Sequence, residues 1–113
     1  MPGNSFGMAD TLTRLEATIK QRRASDPALS YVAKLFSKGR AKIAQKVGEE
    51  ATEAVIAAVS GDRAGLTGEA ADLIFHLMIL LEDSGVALAD VLAELDRREG
   101  VSGITEKASR PKD

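Results

Sequence analysis

The chain has 113 residues, 44% of them hydrophobic and 28% charged, with a formal net charge of −2. This is enough sequence for one core but not two, and it is too apolar for a disordered chain. Near-neutral charge and 4% aromatic content without Trp argue against a nucleic-acid or anionic-membrane surface, and the absence of Cys rules out disulfides and thiolate metal sites and fits a reducing cytoplasm.

Residues 1–7 read as a flexible extension, with Met8 an alternative start, and a single domain is expected over 8–113. The opening "MPGNSFGMAD" has neither the basic start nor the apolar segment of a secretory signal. Leu73 to Leu81 is the longest apolar run, interrupted by His76, and falls well short of the roughly 20 residues that span a bilayer.

Pro occurs only at positions 2, 27 and 111, so no such helix breaker stands between Ala28 and Arg110. Leu12, Leu15 and Ile19 recur at helical spacing behind Asp10 and Thr11, two good N-cap types. A short second helix is expected from Ser30, ending before Gly39. A third spans Arg40 to about Ser60 with Gly61 after it, and Asp62 caps a fourth running to about Asp83. A fifth, Leu88 to about Arg98, carries Leu88, Val91, Leu92 and Leu95 on one face. No alternating segment competes, so the fold class is all-α: about five helices around a four-helix-bundle-like core. Ala54 to Val59 and Leu73 to Leu81 are apolar around the whole helix axis. Helices of that kind need enclosure, and so short a chain supplies it most simply as a homodimer.

The third helix carries Glu49, Glu50 and Glu53 within about one turn, although like charges three and four apart repel on an exposed helix. At about 100° per residue, Glu53 lies roughly 40°, Lys46 roughly 60° and Glu50 roughly 100° from Glu49, beside the apolar face instead of opposite it. On the fourth helix Glu69 and Asp72 also share a face, where that helix turns apolar. The short Gly61–Asp62 connection makes the two helices antiparallel neighbours, so the acidic pairs Glu50/Glu53 and Glu69/Asp72 face each other. Carboxylates converging in a half-buried place cannot all ionise without a counter-charge. Oxygen ligands of this type select Mg²⁺, with Mn²⁺ as the alternative, and Mg²⁺ sites commonly share the ion with substrate phosphates. A di-iron bundle would call for Glu-x-x-His motifs. Here the spacing is Glu69-x-x-Asp72, and His76, the only His, reads as a hydrogen-bonded core residue.

Gly48 costs helix stability and marks a close approach by a ligand or by a packed neighbour. Lys34, Lys38, Arg40, Lys42 and Lys46 form a basic run without an intervening acid, complementary to a polyphosphate; Lys107 and Arg110 add to it from the tail.

"EEATE" followed fifteen residues later by "EAAD" resembles the EExxE…ExxD signature of the all-α, MazG-like nucleoside triphosphate pyrophosphohydrolases. The wider context, "SYVAKLFSKG", "KIAQKVGEEATEAVIAA", "EAADLIFHL" and "VSGITEKASR", resembles the phosphoribosyl-ATP pyrophosphohydrolase family of histidine biosynthesis over about Met8 to Arg110. The resemblance implies a dimeric, cytoplasmic, Mg²⁺-dependent enzyme that hydrolyses phosphoribosyl-ATP to phosphoribosyl-AMP and pyrophosphate. It implies Glu50, Glu53, Glu69 and Asp72 as metal ligands. Glu49 would be a further ligand or the group that orients or deprotonates the attacking water, and Lys46, Lys42 and Lys34 would contact phosphate. Two other readings share these features: a house-cleaning nucleoside triphosphate pyrophosphohydrolase with the same metal site, and a non-catalytic helical dimerisation module.

Overall fold

The structure is a computed structural model that describes residues 8–100. The expected N-terminal extension, Lys107 and Arg110 lie outside the described residues. Five helices follow in order, with no strand among the described residues: α1 (Met8–Arg23), α2 (Tyr31–Lys38), α3 (Arg40–Val59), α4 (Arg63–Asp83) and α5 (Leu88–Glu99).

The boundaries follow from local chemistry. Ser30 caps α2 by accepting a hydrogen bond from the Ala33 amide. Asp62 caps α4 in the same way, its Oδ1 2.8 Å from the Gly65 amide nitrogen. Gly39 and Gly61 take φ of 94° and 76°, the left-handed region in which a side chain would be strained. One start differs from expectation. Asp10 and Thr11 do not cap α1, which begins at Met8; Asp10 sits in the first turn, where its charge opposes the positive end of the helix dipole. Ala87 gives α5 no side-chain cap. Instead Glu16 of α1 reaches across, its Oε2 accepting from the Leu88 amide at 2.9 Å, so a tertiary contact satisfies an N-terminal donor that sequence-local capping leaves open.

α3 and α4 form an antiparallel hairpin, the most extensively packed pair of the fold. The core gathers Ile19, Val32, Leu35, Ile43, Met78, Ile79 and Leu88, one or more from every helix. Ile19, Ile43 and Ile79 are fully buried, each contributing about 1.5–3 kcal/mol by leaving water. Leu95, expected on the inward face of α5, is instead 53% exposed, because that face meets the core only through Leu88 and Leu92.

Ion pairs close one end of the hairpin. Glu82 and Asp83 lie at the negative end of α4, where their charges are unfavourable. Lys20 reaches Glu82 at 2.6 Å and Arg40 reaches Asp83 at 2.9 Å, with Arg23 against both acids and over the Phe36 ring. Along the rest of the hairpin Val55, Ile56 and Val59 of α3 and Ile74 and Leu77 of α4 are all exposed. By length and composition α4 as a whole is apolar enough to cross a bilayer, more than its nine-residue apolar run indicates. Its Met78 and Ile79 are nevertheless part of the core, and Glu69, Asp72 and His76 interrupt its apolar surface.

Candidate active site

The acids stand midway along the α3–α4 hairpin, with exposed apolar residues on either side of them. Glu50 of α3 and Glu69 and Asp72 of α4 bring carboxylate oxygens within 4.8 Å of one another. Glu50 is only 8% exposed. Its Oε1 and the Oε1 of Glu69 are buried without a hydrogen-bond partner. Leaving a charged acceptor in that state costs at least 1–3 kcal/mol, so the trio demands a proton or a cation. Burial pushes Glu69 up to about 7, helped by Glu53 and Glu50, whose carboxylates accept from a protonated Glu69 and repel an ionised one. Glu53 approaches the trio from the Glu69 side. It lines a shallow groove of about 250 Å³ with Ile56, Ser60, Asp62 and Glu69, and does not enter the closest cluster.

Lys46, one turn before Glu50, lies 3.7 Å from Glu50 Oε2 and 3.4 Å from Glu49 Oε1. One ammonium against this group of carboxylates leaves a large excess of negative charge. Glu49 stands apart on the exposed side, its Oε2 accepting from Gln45 Nε2 at 2.8 Å. That hydrogen bond, then Lys46, holds its carboxyl below the usual range. Lys42 lies one turn further back on α3, and Lys34 lies on α2 beside Tyr31 in a separate cavity. The structure thus brings Glu50, Glu69, Asp72 and Lys46 together, keeps Glu53 and Glu49 at the margin, and sets Lys34 on the neighbouring helix.

Behind the acids runs a polar chain that spacing alone does not reveal. His76, 5% exposed, has Nδ1 2.7 Å from the Asp72 carbonyl oxygen and Nε2 2.8 Å from the Tyr31 hydroxyl. A carbonyl only accepts, so Nδ1 carries the proton; in the neutral ring Nε2 then accepts from Tyr31. The expectation of a hydrogen-bonded core histidine holds. Burial raises the Tyr31 phenol, with Glu50, Asp72 and Glu49 adding to the rise and Lys46 opposing it, which places the hydroxyl within the field of the acids. No sequence motif quoted above assigned Tyr31 a role; its one signal is that the chain has a single Tyr.

The model of one family, described as phosphoribosyl-ATP pyrophosphohydrolase, matches residues 12–99, a span that includes every carboxylate just described. The chain belongs to the phosphoribosyl-ATP pyrophosphohydrolase family. Relatives named phosphoribosyl-ATP pyrophosphatase agree with that placement. One from Rhizorhabdus wittichii is 70% identical over 105 residues, covering 93% of this chain and 99% of its own length. One from Novosphingobium aromaticivorans is 70% identical over 101 residues, covering 89% and 94%. A third, from Dinoroseobacter shibae, is 63% identical over 99 residues, covering 88% and 97%. As a phosphoribosyl-ATP pyrophosphohydrolase the chain is an enzyme of the hydrolase class with a nucleotide substrate. The acidic trio is the one group of candidate metal ligands among its described residues. It fits a hard divalent ion by donor type, by spacing and by its two unpartnered oxygens.

Proposed function

We propose that the protein catalyses the Mg²⁺-dependent hydrolysis of phosphoribosyl-ATP to phosphoribosyl-AMP and pyrophosphate, in the cytoplasm, as a step of histidine biosynthesis. The observation that carries the metal assignment is the pair of buried, unpartnered oxygens on Glu50 and Glu69, two carboxylates that approach within 4.8 Å across the hairpin. Glu50, Glu69 and Asp72 would hold the ion, with Glu53 completing the set from the Glu69 side; Mn²⁺ suits the same donors. When bound, such an ion supplies positive charge against the departing pyrophosphate.

The other groups have distinct tasks. A water oxygen attacks phosphorus, the P–O–P bond breaks, and the water's proton passes to a carboxylate or to solvent. Glu49 is the group assigned to that water. Its lowered affinity for a proton makes it a poor base, so orienting the water suits it better than deprotonating it. Lys46, already drawn to Glu49 and Glu50, is set to receive a phosphate oxygen at the edge of the acids. Lys42 and Lys34 extend positive charge away from them. A second copy of the chain would cover Val55, Ile56, Val59, Ile74 and Leu77, giving a homodimer.

The test is product analysis. Phosphoribosyl-ATP and ordinary nucleoside triphosphates are each offered with Mg²⁺ and with EDTA. Pyrophosphate and phosphoribosyl-AMP are expected from the first substrate only with Mg²⁺, at a kcat/KM far above that for ATP. Undiminished release in EDTA would sink the metal site, and preference for ordinary triphosphates would sink the substrate.

A further inference from the structure

Tyr31 is the one aromatic ring among the described residues that is open to solvent, at 49% exposed. An exposed ring on a helix surface is normally free to turn. This one is pinned twice. Its hydroxyl donates to His76, whose own ring is fixed by the Asp72 carbonyl. Phe75 stacks behind it, with centroids 6.3 Å apart and planes 20° from parallel, and His76 meets both rings edge-on. The pinning group is the residue four positions after Asp72, so the ring's orientation is referenced to the acidic trio.

Two open cavities share this ring. One, of about 430 Å³, is lined by Tyr31 together with Phe75. The other, of about 590 Å³, is lined by Tyr31 without Phe75 and continues past Leu29, Ser30, Lys34, Ser37 and Lys38. Phe75 lines only the first cavity, and the second opens past Tyr31 toward Lys34 and Lys38. Its size suits a nucleoside-sized ligand. Leu29 stands beside it 86% exposed, an apolar side chain with nothing of its own chain to cover it. Lys34 and Lys38 take part in no ion pair among the described residues, so both ammonium groups are free to meet an anion.

We infer that this cavity is the nucleoside subsite of the enzyme: the purine base stacks on the free face of Tyr31 against Leu29, while Lys34 and Lys38 meet the phosphate at the end of the substrate remote from the reaction. The inference rests on the proposed function, because it takes the triphosphate's place at the acids as given. A flat base gains from a rigid ring whose back is already packed, since little motion is lost on binding. Tyr31 contacts the base and is a binding residue. His76 acts through Tyr31 and is a positioning residue.

The composition of the chain supplies the test. It has one Tyr and no Trp, so the tyrosine emission of the whole protein reports Tyr31 alone. Wild-type protein in Mg²⁺ is titrated with AMP and separately with ribose 5-phosphate, neither of which has a phosphoanhydride to be hydrolysed, with correction for nucleotide absorbance. Saturable quenching by AMP and none by ribose 5-phosphate is expected. No quenching by AMP, or equal quenching by both, would overturn the inference. With phosphoribosyl-ATP and Mg²⁺, Tyr31→Ala should raise KM about tenfold, in line with the loss of one base–aromatic stack, and change kcat much less; Tyr31→Phe should recover most of that loss. An unchanged KM in Tyr31→Ala would likewise overturn it. Failure of the wild type to release pyrophosphate would sink the proposed activity instead, and the quenching result would still decide the stacking.

Discussion

Glu50 on α3 and Glu69 on α4 each bury an Oε1 that receives no hydrogen bond, and their carboxylates lie within 4.8 Å of each other and of Asp72. A site assembled only for folding would fill those positions with a cation or a donor. Replacing one acid by its amide therefore separates function from stability. In Glu50→Gln or Asp72→Asn, pyrophosphate release should fall by orders of magnitude, while the metal-free melting temperature holds or rises as like-charge repulsion is relieved. Parallel melting curves and release rates decide it. A variant that melts well below wild type yet keeps most of its turnover would show these acids to be structural ion-pair partners.

The metal-free protein should lose stability as pH rises toward neutrality. Glu69 binds its proton more tightly folded than unfolded, since its value is pushed up to about 7 from an ordinary 4.5. Its contribution is fully present below about pH 4.5 and is lost as pH rises through about 7, where the folded state must accept an unwelcome charge. Thermal melts in EDTA from pH 4.5 to 8 should show the decline, Glu69→Gln should flatten it, and saturating Mg²⁺ should reverse it at the upper end. An identical profile in the variant would refute the assignment.

A monomeric mass by light scattering at micromolar concentration would count against the dimer. The expected particle contains two chains, joined through the exposed apolar residues of α3 and α4. Val59 is 81% exposed in one chain, so Val59→Asp removes no contact within it. The variant should be monomeric, still helical by circular dichroism, and less stable only through the lost association.

Most of the fold could be read from the residues that stop and start helices. Ser30, Gly39, Gly61 and Asp62 each occupy the boundary their chemistry favours. The start of α1 could not, because Asp10 serves a first turn as well as a cap. The facing acids were legible from i,i+3 spacing plus a short antiparallel connection. The finer ranking among them was not: whether Glu53 or Asp72 stands closer to Glu50 depends on how the two helices are rotated against each other, which helical periodicity leaves free. Tyr31 and His76 are 45 residues apart and meet only through packing.

Gly48 gives the last prediction. In the middle of an exposed helix it destabilises by about 0.8–1 kcal/mol relative to Ala. A packed neighbour within the chain is one of two reasons for a Gly there. That reason is removed for the described residues, since a Cβ built there meets nothing within 4 Å. At about 100° per residue Gly48 lies roughly 160° around α3 from both Lys46 and Glu50, on the side turned away from the acids. Gly48→Ala should therefore raise the melting temperature of the free protein by several degrees, as about 1 kcal/mol does in a domain of this size, and leave KM for phosphoribosyl-ATP unchanged. A raised KM would show that the substrate approaches this side of α3. A lower melting temperature would mean that a second chain, not solvent, lies against this face.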